Sequence, residues 1–214
     1  METVKFHFDN VFYDEPKVFA PYRIYQVGDI DTYSGFKCKP HCQIADEITY
    51  IVSGNANMLC GDKTYLCHTG DVIFNPKGTM HAIDSADGQS LRYYYITFDI
   101  HDITLGTEKK LFELLQKQKS GFAHADRSIS HTFHDIFLNI NSSDEFSDVI
   151  ISDSIRKLLM YTLRSLNGRA NNIYMPDMRF GKKRTVAQIC SFIDDNVEDI
   201  GLLKKLPEKF GYSY

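Results

Sequence analysis

The chain has 214 residues, 43% of them hydrophobic, enough to bury a sizeable core in one domain with or without an appendage. Its formal net charge of −4 at pH 7 excludes a chain-wide basic face for nucleic acid or membrane, so partners have to be sought in local features. Five cysteines, Cys38, Cys42, Cys60, Cys67 and Cys190, contain no C-x2-C pair; they read as reduced thiols rather than a disulfide framework or a cysteine zinc site. The first ten residues, METVKFHFDN, lack a basic region followed by an apolar run, and no apolar stretch reaches the length of a membrane span. The expectation is a soluble cytoplasmic protein.

Taken in order, residues 1–35 hold two aromatic and β-branched runs, VKFHF and YRIYQV, separated by Asp, Pro and Gly, and both predict strands. Six more short runs follow: EITYIVSG, NANMLC, TYLCHTG, DVIFNP, TMHAID and SLRYYYITFDI, with turn residues such as Gly61-Asp62-Lys63 and Asp87-Gly88 between them. Closely spaced strands of this kind predict a small antiparallel barrel or sandwich. In the last run Leu91, Tyr93, Tyr95 and Thr97 alternate with Arg92, Tyr94, Ile96 and Phe98, so one set must face inward. Near residue 105 the period changes from two to 3.6, and 105–167 is expected to be a helical layer. Its longest helix starts near Ser147 and stops at Asn167-Gly168, a C-terminal cap pair. Ile151, Ile155, Leu158, Leu159, Thr162 and Leu166 form one stripe on it, a candidate homodimer interface that could equally pack on the barrel. Residues 168–181 read as a linker, and 182–214 begin a new helical unit.

One stretch carries chemistry. Gly35, His41, Gln43, Glu47 and Gly54 have the spacing G-x5-H-x-Q-x3-E-x6-G, and Gly70, Pro76, Gly78, His81 and Ser85 have G-x5-P-x-G-x2-H-x3-S. These halves resemble the two motifs of the cupin superfamily at every spacing. Gln43 stands where a second histidine is usual, and Ser85 where asparagine is. The resemblance implies a double-stranded β-helix, a jelly-roll barrel, over residues 1–104. It also implies that His41, Gln43, Glu47 and His81 converge inside it, where catalytic members hold a divalent transition metal. From the residues alone, two imidazoles and a carboxylate can bind such a metal, or can serve as polar groups of a metal-free pocket. Gln43, an uncharged amide, weakens the metal reading.

The C-terminal unit resembles the first helices of the DNA-binding domain of AraC-type transcription regulators, through the helix VAQICSFIDDNVED and the later Leu203, Leu206, Phe210, Gly211, Tyr212 and Ser213. Pro207 departs from the alanine usual there. The recognition helix of that family would start at Ser213, one residue before the last, so DNA contact is expected only through a domain mostly absent from this chain. Residues 182–214 carry six Lys or Arg against five Asp or Glu, short of a phosphate-binding face.

Together these resemblances imply the ligand-sensing and dimerisation region of an AraC-type regulator. It would bind a small polar effector, a sugar for instance, with no catalytic residue, no resident cofactor and no membrane partner. Arg23, His41, Glu47, His81, Tyr93 and Tyr95 are the expected effector contacts: tyrosines stack on apolar ring faces and bond ring edges, and arginine pairs with oxygens. The competing reading is a metal-dependent cupin oxygenase or isomerase using His41, Glu47 and His81. No phosphate-binding loop, dinucleotide fingerprint or nucleophile elbow is present. His131 and His134 are three residues apart and expected to share a helix face without forming a metal site.

Overall fold

The computed structural model describes residues 4–168, apart from 87, 105, 126 and 127, together with isolated helical positions at Ile189, Phe192, Ile193 and Pro207. The chain divides into two compact units, Met1–Asn171 and Asn172–Tyr214. The expected linker beyond Gly168, and the 182–214 fragment other than those isolated positions, lie outside the described residues.

In chain order the first unit contains β1 (Val4–Val11), β2 (Lys17–Phe19), β3 (Tyr22–Thr32), β4 (His41–Cys42), β5 (Asp46–Ser53), β6 (Asn55–Cys60), β7 (Lys63–His68), β8 (Asp71–Asn75), β9 (Met80–Ser85), β10 (Arg92–Ile100), α1 (Gly106–Lys117), β11 (Gly121–His124), α2 (Ser128–Asn139) and α3 (Ser147–Leu166). One sheet runs β1-β3-β10-β5-β8-β11, with β2 added on β3, and the other runs β4-β9-β6-β7. Every pairing is antiparallel. Successive strands cross between two sheets in the manner of a jelly roll, and the fold is the cupin-type double-stranded β-helix.

Alternation on β10 divides the molecule. Leu91, Tyr93 and Tyr95 enter a core shared with Ile30, Ile51, Met58 and Ile83, which come from both sheets and fill the barrel. Tyr94, Ile96 and Phe98 point the other way, into a second core built with Phe133, Ile136, Ile155 and Leu159 of the helices. A strand buried on both faces reads as a nearly continuous apolar run, as YYYITF does. Gly54 closes the first motif at φ +85°, and a Cβ there would lie 2.3 Å from the Ser90 carbonyl oxygen, so glycine alone fits the tight β5–β6 turn.

One open reading is decided and one expectation needs correction. Of the two readings of the α3 stripe, the structure shows packing on the sheet: Ile151, Ile155, Leu158 and Leu159 are 0% exposed in the chain's own helix-side core, and Leu166 packs at its margin. The cause is the apolar outer face of the large sheet, which needs a cover, and α3 with α2 supplies it. The 105–167 segment is also not wholly helical. Gly121–His124 adds an edge strand to β8, and Phe122 packs against Tyr65 with tilted rings, centroids 5.2 Å apart. Four residues are too few to show a period against the helical pattern on either side.

Candidate functional site

The barrel encloses a cavity of about 210 Å³. Its floor begins with the pairing of β4 and β9, which sets His41 directly opposite His81, ring centroids 4.5 Å apart. Each ring is anchored through Nδ1 to a backbone carbonyl, His41 to Lys39 at 2.9 Å and His81 to Thr79 at 3.0 Å. Both Nε2 atoms are therefore turned inward.

Glu47 comes in from β5 and is almost fully buried. It accepts hydrogen bonds from Gln43 Nε2 at 3.1 Å, Thr49 Oγ1 at 3.1 Å and Thr97 Oγ1 at 3.4 Å. Burial opposes its charge, but His81, Thr49 and His41 outweigh it and hold the carboxyl below its ordinary range. Burial likewise opposes charge on His81, and the neighbouring Glu47 with the Thr79 carbonyl raises that imidazole's pKa. His81 Nε2 lies 3.3 Å from Glu47 Oε1 at an angle that makes no hydrogen bond, which leaves it a buried polar atom without a partner.

Gln43 is held at both ends of its amide. Its nitrogen donates to Glu47 and lies 3.4 Å from His41 Nε2, while its oxygen accepts from the Tyr13 hydroxyl at 2.8 Å. Opposite this group stand Tyr93 and Tyr95, ring centroids 6.0 Å apart. Gln26 Nε2 donates to the Tyr95 oxygen at 2.7 Å and to Asp9 at 3.0 Å. The Tyr93 hydroxyl has no hydrogen-bond partner among the described residues, and burial raises its pKa, so it stays a neutral O–H.

Five of the six expected effector contacts thus line one cavity. Arg23 does not: its guanidinium sits 3.8 Å from Asp99 and 3.4 Å from the Tyr25 hydroxyl. The sequence reading missed Asp9, Gln26, Thr49 and Cys38, all of which line the cavity. Thr49 was legible, two residues beyond Glu47 on the same strand face. Asp9 and Gln26 reach the site only through β1–β3 and β3–β10 pairing, which no local pattern announces. Gly28 was missed as well: a Cβ there would lie 2.5 Å from the Tyr95 ring, so the glycine gives that ring its seat.

His41 has a neighbour of its own, Cys38 Sγ, 3.8 Å from Nδ1. Cys38 foremost, then the Lys39 carbonyl and Glu47, push this imidazole up to about 9 against the opposing effect of burial. A raised folded pKa favours the fold below the ordinary value of 6.5, and that contribution is lost as pH rises through about 9. The His41 ring resonances in an NMR titration should therefore turn over near 9, and in Cys38→Ala the midpoint should fall toward 6.5.

The donor set does not fit a divalent metal. A metal needs lone pairs from both imidazoles and the carboxylate, yet an amide N–H of Gln43 sits between Glu47 and His41. Among the described residues no three His, Cys, Asp or Glu side chains are arranged to hold a metal ion.

A family model for the AraC-like ligand binding domain matches residues 23–159, which takes in most of the cavity lining, all but His7 and Asp9, and most of the helical cover. The chain belongs to the AraC-like ligand-binding domain family. Three solved structures illustrate how far likeness extends beyond it. A cupin superfamily protein from Desulfitobacterium hafniense DCB-2 is 15% identical with a TM-score of 0.34, over 44% of this chain and 77% of that one. A cupin 2 conserved barrel domain protein from Salinispora arenicola CNS-205 is 20% identical with a TM-score of 0.35, over 44% and 76%. A cupin family protein with a double-stranded β-helix fold from Methanocaldococcus jannaschii is 16% identical with a TM-score of 0.35, over 52% and 95%. At such scores these likenesses carry no argument, and the fold of this AraC-like domain rests on its own strand order. No curated protein matches the chain. No helix among the described residues is long and apolar enough to cross a membrane.

Proposed function

We propose that this chain is the ligand-sensing region of an AraC-type transcription regulator, and that its barrel binds a small polar molecule of the sugar type without a metal. Membership of the AraC-like ligand-binding family supports the sensing role. The observation that carries the reading is the cavity itself: a polar floor of His41, Gln43, Glu47 and His81 beneath two tyrosines, with the buried His81 Nε2 making no hydrogen bond although Glu47 Oε1 stands 3.3 Å away. Buried polar atoms without partners inside a cavity are what a ligand's hydroxyls would satisfy. The enzyme reading, an oxygenase or isomerase, needs the metal that this donor set does not fit.

The resemblance of residues 182–214 to the start of a DNA-binding domain supports the regulatory half of the proposal. Effector binding acts on transcription only if the ligand has different affinity for two arrangements of the protein. A homodimer belongs to the reading, with its surface elsewhere than the buried α3 stripe; sedimentation showing monomer alone at micromolar concentration would remove it.

A thermal-shift screen of small polyhydroxylated molecules tests the sensing role. A ligand present at 100 times its Kd stabilises the fold by about 2.7 kcal/mol. The expected result is a rise in Tm with the protein stripped by chelator, and turnover of the bound molecule by the protein would contradict the proposal.

A further inference from the structure

We infer that Cys38 is a covalent capture site in the barrel, where its sulfur traps small α,β-unsaturated carbonyl compounds as thioethers while His81 holds their oxygen. The capture is a second property of the cavity, separate from effector sensing and independent of which molecule the barrel senses.

Of the cysteines the structure describes, Cys38 alone lines the cavity. Cys60 and Cys67 are buried elsewhere in the barrel core, where burial pushes their thiols up to about 11 and about 12 and keeps them inert. Cys42 is exposed and lies outside the cavity lining. Cys38 differs from all three in its neighbour. Its Sγ lies 3.8 Å from His41 Nδ1, and both atoms face the Lys39 carbonyl oxygen, 3.6 Å from the sulfur and 2.9 Å from the nitrogen. An imidazole beside a sulfur shares its proton and favours the nucleophilic thiolate.

A nucleophile needs something to hold the electrophile, and His81 supplies it. His81 is 3% exposed and lines the same cavity, and its Nε2 makes no hydrogen bond although Glu47 Oε1 stands 3.3 Å away. Its Nδ1 is taken by the Thr79 carbonyl, so the proton this ring gains on ionising sits on Nε2. The His41 and His81 rings are 4.5 Å apart, centroid to centroid, so the sulfur beside one and the free nitrogen of the other border one small space. Ile30, Phe36, Met58 and Ile83 wall that space with apolar surface. An α,β-unsaturated carbonyl compound matches each part: a hydrocarbon skeleton for the wall, a β-carbon for the sulfur, and an oxygen for His81. At about 210 Å³ the cavity admits short-chain or single-ring compounds, being below the roughly 300 Å³ at which pockets for drug-sized ligands begin.

In the addition a sulfur lone pair forms the S–C bond to the β-carbon, and the C=C π pair moves toward the carbonyl oxygen. Negative charge grows on that oxygen, where the His81 N–H stabilises it. The enolate then takes, at its α-carbon, the proton that the thiol shared with His41. A thiol and an enone become a thioether and a saturated carbonyl, with no oxidant or reductant required.

Two thiol reagents applied to the whole chain test this, with adducts located by peptide mass spectrometry. The first is 2-cyclohexen-1-one, and the second is iodoacetamide, which alkylates by displacement and builds no charge on its oxygen. In the natural protein the enone should modify Cys38 at least about tenfold faster than the more exposed Cys42, since only Cys38 has imidazole assistance. His41→Asn should slow both reagents at Cys38 about tenfold. His81→Leu should slow the enone about 100-fold, the loss of one donor to a developing oxyanion, and leave iodoacetamide within about twofold. Equal labelling of Cys38 and Cys42 by the enone, a comparison that needs no variant, would overturn the capture site. Equal slowing of both reagents by His81→Leu would overturn the role of His81 as the oxygen's donor. Either failure leaves effector sensing standing, because that reading predicts stabilisation by a reversible ligand and no adduct.

Discussion

Ile155→Ala is expected to lower the free energy of unfolding by about 2–5 kcal/mol, the cost of removing a buried aliphatic side chain and leaving a cavity. Ile155 is 0% exposed and joins β-sheet residues Tyr94, Ile96 and Phe98 in the helix-side core. The milder Ile155→Val should cost about 0.5–1.5 kcal/mol. Urea denaturation at several protein concentrations checks both, and the loss should not depend on concentration. A loss that vanished at high concentration, or a change in sedimentation coefficient without a change in unfolding midpoint, would return the stripe to a subunit interface.

Gln43→His should convert the cavity from one that excludes a metal to one that holds it. The substitution removes the amide N–H that lies between Glu47 and His41 and puts an imidazole in its place, giving three imidazoles and a carboxylate. The variant should retain stoichiometric Ni²⁺ or Co²⁺ through gel filtration, whereas the natural protein retains none. His41→Ala in the Gln43→His background should abolish that retention. Because imidazole must release protons to ligate, uptake should fall as pH is lowered. Stoichiometric metal on the natural protein would contradict the reading of Gln43 as a hydrogen-bonded stopper.

Legibility in the sequence followed locality. The double motif located His41, Gln43, Glu47 and His81 because their spacings measure a strand, a turn and a strand, and β4, β5 and β9 then bring them together. Alternation on β10 put Tyr93 and Tyr95 on one face and Tyr94 on the other, and left it to the structure to turn the first face into the barrel. Arg23 failed because position along the strand is not legible locally: it pairs with Asp99, two residues beyond Thr97 on β10, so it stands past the end of the cavity, where Gln26 opposite Thr97 still reaches it. The α3 stripe was visible as apolar, but its partner was not, since a helix period says which face is buried and not what buries it. Asp9 and Tyr13 belong to a segment whose approach to the cavity is decided wholly by long-range pairing.

The proposal of a metal-free sensing pocket is tested most directly by crystallographic density between His81 and Tyr93. The protein should be purified without chelator, crystallised with the neutral sugar that stabilises it most, and measured at the absorption edges of iron, nickel and zinc. The account predicts ring-shaped organic density within hydrogen-bonding distance of His81 Nε2 and the Tyr93 hydroxyl, and no anomalous peak. An anomalous peak coordinated by His41, Glu47 and His81 would contradict it.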